Sequence, residues 1–215
     1  MGRIVVSELV SIDGVGEDPA GVEGFGRGGW ASELGSDGER VFVRGEQGEE
    51  FVVAEARDSA ALLLGRKTYE GFAVIWPQQE GRPLADILNG MPKYVVSSTL
   101  EDAAWRNSTV LSGETVEEVG RLKREIDGPI LVYGSNQLVQ TLLEHGLVDE
   151  LQLLVHPVVV GAGKRFFGET SDTRLLRLVD TRTVGDGVVI LTYEPVRDLG
   201  QGERHVPETI GAEGE

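Results

Sequence analysis

The chain has 215 residues, 36 acidic against 20 basic side chains, a formal charge of −16, and no cysteine. The missing thiols exclude disulfides, thiolate catalysis and every cysteine-based zinc or iron–sulfur site, and the acidic surplus argues against nucleic acid or an anionic membrane as the main partner, since both reward a basic face. Hydrophobic residues make up 40% of the chain, enough for one generous core; no apolar run approaches the ~18 residues of a membrane span, and MGRIVVSELVSIDG turns polar too soon for a signal peptide, so a soluble cytoplasmic protein is expected.

Residues 3–14 (RIVVSELVSIDG) read as a buried strand of β-branched residues punctuated by Asp13-Gly14. A Gly-rich, acidic stretch at 15–48 follows, with one aromatic island (GFGRGGW, 24–30); a segment this long is either a binding loop or lid, or a partly disordered insertion. The pattern over 48–60 suits an amphipathic helix, ALLLG (61–65) is a short buried strand, and a helix is predicted from about Thr68 to just before Trp76-Pro77. A short helix, a turn at Asn89-Gly90 and a strand over 93–97 come next. Val116, Val119, Leu122 and Ile126 recur at helical spacing until Asp127-Gly128-Pro129 stops the helix. ILVYG (130–134) is another apolar strand, and Ser135 is placed to cap the helix NQLVQTLLEHG. The segment 149–167 holds two apolar runs broken at Pro157, and 173–196 reads as two strands joined around Gly185-Asp186-Gly187, a hairpin signal. Residues 196–215 are polar and Gly-rich, a flexible tail by composition. Strands alternating with helices, then a closing hairpin, predict one α/β domain over 1–195 with a mostly parallel sheet.

In open α/β sheets ligands bind beyond the carboxyl ends of strands, and two strand–helix junctions fit. At Gly65-Arg66-Lys67-Thr68 a glycine permits close approach, a helix start supplies N–H donors and two cations add charge. Cations are disfavoured at a helix start, so the pair either holds a phosphate or consists of two solvated cations. At Tyr133-Gly134-Ser135-Asn136 the geometry recurs without charge, either a rest for a diphosphate or simply a capped helix. Between them, Ser97, Ser98 and Thr99 end a strand with three hydroxyls. His145, His156 and His205 lack metal-ligand spacing, so no metal site is expected. GRGGWA (26–31) lacks the flanking strand and helix of a dinucleotide fingerprint, GAGKR (161–165) is not a P-loop, and no G-x-S-x-G elbow is present.

The ordered set SIDG, LLGRKTYEGF, KYVVSST, ILVYGSNQLVQTLLEHGLVDEL and HPVVVGAGKRFF resembles the dihydrofolate reductase superfamily. More closely, it resembles the branch containing the C-terminal reductase domain of the riboflavin-pathway protein RibD, over about residues 3–195. The resemblance implies a dihydrofolate reductase-like fold, a central mostly parallel mixed sheet flanked by helices with a C-terminal antiparallel hairpin, and NADPH as cofactor. It carries the phosphates to Gly65, Arg66, Lys67 and Thr68, the adenosine to Ser97, Ser98 and Thr99, and the diphosphate and nicotinamide to Gly134, Ser135 and Asn136. Two cations give a physical reason to prefer NADPH over NADH, because its 2′-phosphate adds charge for them to pair. Asp13 is placed at the substrate cleft as the candidate acid, or else is an Asp-Gly turn residue bonding its own backbone; Trp30 covers the substrate or plugs the core. Pyrimidine reductases of this branch carry a lysine directly after the first Asp-Gly, where this chain has Val15, and the acid expected after Trp30 has only Glu33, Asp37 and Glu39 to offer. The expected activity is hydride transfer to a small heterocyclic or ring-opened sugar-linked substrate. The alternatives are a non-catalytic NADPH-binding sensor and a structural homodimer. The resemblance also suggests a homodimer, with LQLLVHPVVV (151–160) either at its interface or in the core.

Overall fold

Eight strands form one sheet in the order β6-β5-β4-β7-β1-β8-β10-β9. The computed structural model describes residues 1–34, 40–42, 44–169 and 173–196. Its strands are β1 (Arg3–Ser11), β4 (Ala61–Gly65), β5 (Lys93–Val96), β6 (Ser108–Leu111), β7 (Pro129–Tyr133), β8 (Val148–His156), β9 (Leu176–Val184) and β10 (Val188–Pro195); a separate short hairpin pairs β2 (Ser32–Leu34) with β3 (Arg40–Phe42). From β6 to β8 every pairing is parallel, and the hairpin β9–β10 joins antiparallel through β10 to β8. This is the mixed, mostly parallel sheet with a closing hairpin that the strand–helix alternation predicts.

Helices cover both faces, because central strands apolar on both sides must be buried on both. On one face α4 (Thr115–Glu125) and α5 (Asn136–Glu144) bring Val119, Leu122, Val139 and Leu142 onto Ile4, Val6 and Ile130. On the other, α1 (Gly45–Asp58), α2 (Arg66–Ile75) and α3 (Pro83–Gly90) bring Val52, Tyr69 and Leu88 onto Val5, Leu62 and Leu131. Adjacent strands β4 and β7 therefore send their helices to opposite faces. That divergence opens a crevice at their carboxyl ends, where ligands settle in open α/β sheets.

Several expectations need correction. Helix α2 begins at Arg66, two residues before the predicted start, so both cations sit in its first turn. Asn89-Gly90 ends α3 and makes no turn, because the Asn89 side chain is buried, donating to the Trp76 carbonyl and accepting from the Trp105 indole. The edge strand β6 is not among the predicted elements: Ser108-Thr109-Val110-Leu111 shows no apolar–polar alternation, and of the four only Leu111 is buried. Of the two apolar runs in 149–167, only the first is a strand. It lies between β1 and β10, so for β8 the core reading of 151–160 holds. Part of the 15–48 stretch is ordered as a loop around Asp18, whose carboxylate accepts the N–H groups of Val22, Glu23 and Phe25, and helix α1 already occupies it from Gly45. Residues 35–39 and 43 of that stretch, Asp37 and Glu39 among them, and the tail from 197 lie outside the described residues. Among the described residues no helix is long and apolar enough to cross a membrane.

Candidate functional site

The crevice between α2 and α5 widens into a cleft of about 1260 Å³. It brings together every position of the three segments 65–68, 97–99 and 134–136. The two strand–helix turns touch: the Gly65 N–H donates to Ser135 Oγ at 2.7 Å, and that hydroxyl donates onward to Thr68 Oγ1 at 2.9 Å. Ser135 thus occupies the cap position of α5 without capping it. Its backbone is left-handed, with φ 67° and ψ 45°, and its hydroxyl serves the neighbouring turn. Helix α2 also lacks a side-chain cap. The first N–H groups of an α-helix have no partner inside it, so two sets of unclaimed donors and two positive dipole ends meet at one place. The approach depends on glycine: a Cβ on Gly65 would stand 3.1 Å from Ser135 Oγ, and one on Gly134, at φ 59°, would stand 2.9 Å from Thr68.

Arg66 reaches across this cradle. Its Nη1 donates to Thr99 Oγ1 at 2.5 Å and its Nε to Glu70 at 2.7 Å, so the guanidinium spans the gap between α2 and the end of β5. Lys67 is exposed at the cleft wall. Ser97 Oγ accepts the N–H groups of Thr99 and Leu100, which closes the turn after β5.

Neither Asp13 nor Trp30 lines the cleft. Asp13 Oδ1 accepts from Ser11 Oγ at 2.7 Å and from the Val160 N–H at 3.0 Å, and Oδ2 accepts from the Gly161 N–H at 2.8 Å. Those bonds, the Ser11 hydroxyl first, hold its carboxyl down at about 2, where it is a poor proton donor near neutrality. The Trp30 indole donates to the Glu17 carbonyl at 2.9 Å and its ring meets His156 edge-on at 5.7 Å. Asp13 belongs to a clasp between loop 12–31 and loop 157–168, to which Arg27 adds a bond to the Val160 carbonyl and Glu17 one from the Lys164 N–H, while Trp30 packs against the end of β8.

Sequence reasoning passed over two acids, one on the cleft floor and one behind it. Glu8, in the middle of β1, is 6% exposed and lines the cleft. Its Oε1 has no hydrogen-bond partner. Burial pushes its carboxyl well above the ordinary range, against the pull of the Gly134 N–H, and the nearby Glu55 adds to the rise. Glu55, on α1, is pushed up to about 7 by burial, and the Tyr133 hydroxyl donates to it at 2.9 Å. Burial pushes the Tyr133 phenol up as well. Arg44, also buried, pairs with Glu49 at 2.6 Å, and His156 is driven down to about 4 by burial, then by Arg44. The sequence does carry a signal for Glu8, the one acid inside the largely apolar run Arg3–Ser11.

Comparison with known proteins places this geometry in a wider set. A family model described as the RibD C-terminal domain matches residues 3–190. The uncharacterized protein YyaP of Bacillus subtilis is 33% identical over 136 residues, covering 61% of this chain and 72% of YyaP. A putative riboflavin biosynthesis protein from Shewanella sp. PV-4 superimposes with a TM-score of 0.69 at 19% identity, over 91% of this chain and 99% of the other. Dihydrofolate reductase from Enterococcus faecalis, solved with NADP(H), superimposes with a TM-score of 0.53 at 15% identity, over 90% of this chain and 96% of the other. At these identities the two structures speak for the fold.

Proposed function

The chain belongs to the RibD C-terminal domain family, and on that footing we propose that it is an NADPH-dependent reductase acting on a small heterocyclic or ring-opened sugar-linked substrate. The observation that carries this reading is the pair of uncapped helix starts tied together by Ser135 Oγ. Such paired, glycine-lined N-termini suit a diphosphate, whose oxygens accept backbone N–H bonds and sit at the positive dipole ends. In this reading Gly65 to Thr68 and Gly134 to Asn136 hold the diphosphate. Arg66, already braced against Thr99, and Lys67 pair with the 2′-phosphate in charge-assisted bonds. Ser98 and Thr99 lie at the adenosine end.

When bound, NADPH supplies a hydride from its nicotinamide ring. The chain's own part is to bind and orient the two reactants and to exclude water. Tyr133 and Leu9, both lining the cleft, give the nicotinamide end an apolar wall. The substrate, the cytoplasmic location and a homodimeric assembly belong to the same proposal.

A second reading, nucleotide binding without turnover, draws on one observation: both oxygens of Asp13 are engaged in the clasp, so that candidate acid is not free. Calorimetric titration with NADPH and NADH separates these readings from the structural one. Tight NADPH binding is expected, and Arg66→Ala with Lys67→Ala should weaken it about 100-fold while weakening NADH less, two charge-assisted bonds being lost. Binding without oxidation across a substrate panel favours the second reading, and a folded wild type that binds neither nucleotide sinks both.

A further inference from the structure

A buried carboxyl with an oxygen left unpartnered is costly, and Glu8 is such a group. It is 6% exposed, lines the cleft floor, and has an Oε1 without a hydrogen-bond partner, and among the described residues no lysine or arginine acts on its carboxyl. It also lies beside the Gly134 N–H, at the turn where α5 presents its N-terminus. An ionised carboxylate there would compete with an anionic ligand for the same donors and repel it across a low-dielectric floor. A neutral carboxylic acid has the opposite effect, because it offers an O–H to a ligand acceptor.

We propose that Glu8 is a ligand-facing residue of this cleft that binds as a neutral carboxylic acid, holding a proton whenever an anionic nucleotide is in place and donating it in a hydrogen bond to that ligand. The inference rests on the reductase reading, since NADPH is the nucleotide it concerns. The proton comes from solvent when the free carboxyl is ionised, and it returns when the nucleotide leaves.

Other titratable groups are near, and their placement separates them from this role. Glu55 faces Glu8 from α1 but stands behind Tyr133, bonded to the phenol. On α1 and just before it, Glu49 and Arg44 pair with each other. Glu150 and His156 of β8 and Tyr133 of β7 touch this network through Glu55 and Arg44. Glu17, Lys67 and Lys164 stand at the cleft mouth, where Lys164 pairs with Glu17. Of the buried carboxyls in the cluster, Glu8 lines the cleft and Glu55 does not.

Linkage fixes the expected signs. Above the midpoint of the free Glu8 carboxyl, NADPH binding takes up as much as one proton and its affinity falls by up to about tenfold per pH unit; below that midpoint neither effect remains. The test is NADPH calorimetry in buffers of different ionisation enthalpy between about pH 6 and pH 10, a range that brackets buried carboxyls. Wild type, Glu8→Gln and Glu55→Gln are compared. Proton uptake in the wild type and in Glu55→Gln, with none in Glu8→Gln and a Glu8→Gln affinity flat with pH, is the expected result. No uptake by a wild type that binds NADPH overturns the proposal, as does uptake that survives in Glu8→Gln. If Glu8→Gln does not fold, the carboxyl carbon resonance of Glu8 in the wild type decides: it must sit at the protonated position in the NADPH complex, and an ionised position overturns the proposal. A folded wild type that binds no NADPH at any pH overturns the reductase reading itself.

Discussion

Two sets of loops leave the carboxyl ends of the sheet, and they treat their backbone donors in opposite ways. After β1 and β8, carboxylates take the available N–H groups: Asp13 binds Val160 and Gly161, Asp18 binds three amides of its own loop, and Glu17 binds Lys164. After β4 and β7 no side chain caps either helix, and the one hydroxyl suited to the task ties the two turns to each other. The first region is complete in itself. The second leaves the first N–H groups of both helices without a side-chain acceptor, as the proposed diphosphate site requires. The contrast also explains why Asp13, the acid most conspicuous in the sequence, is unsuited to proton donation, while Glu8, with Oε1 unpartnered, lies on the cleft floor.

The sharpest way to break this contrast is Gly134→Ala. The added Cβ meets Thr68 at 2.9 Å on a left-handed backbone, so NADPH affinity should fall by about 100-fold or more, as when a cradle loses its backbone donors; calorimetry reads it directly. Asp18→Ala attacks the other region. Leaving the amides of Val22, Glu23 and Phe25 without their acceptor should cost about 2–3 kcal/mol, seen in denaturant unfolding and in faster hydrogen exchange at those three amides. A smaller effect is expected at Glu55. Its folded carboxyl titrates at about 7 against an ordinary 4.5, so the folded state holds the extra proton between those values and stability falls as pH rises through that window. Glu55→Gln escapes the loss and should be more stable than wild type by on the order of 2 kcal/mol near pH 8, with no gain near pH 4; unfolding curves at the two pH values check it. Smallest of all is Asp13→Asn. Since Asp13 stays ionised down to about 2, NADPH affinity and the pH dependence of any reductase turnover should stay within about threefold of wild type, and a shifted pH profile would return Asp13 to the chemistry.

Much of the fold was legible because it is written locally. Apolar strands ending in glycine, helices with apolar residues at 116, 119, 122 and 126, and the Gly185-Asp186-Gly187 turn each declare themselves within a few residues. What stayed hidden depends on partners far along the chain. Asn89-Gly90 carries turn chemistry, but the helix continues because Trp76 and Trp105 claim the Asn89 side chain. Ser135 looks like a cap until Gly65, seventy positions away, takes its hydroxyl. The site divides in the same way: the strand–helix junctions could be located from glycine and charge, whereas the place of Glu8 on the cleft floor requires knowing that β1 lies between β7 and β8.

The tie through Ser135 also bears on how this cleft can vary. A side chain at 65 would press on 135, and one at 134 on 68, so the two turns are reciprocally locked although 67 to 70 positions separate their hydroxyl partners. Substitutions at neighbouring, mutually supporting sites do not add. A library that randomises either turn alone would consist mostly of broken cradles, whereas one that varies 65 with 135 and 68 with 134 samples the combinations in which the cradle survives. For directed evolution, these four positions are one heritable unit.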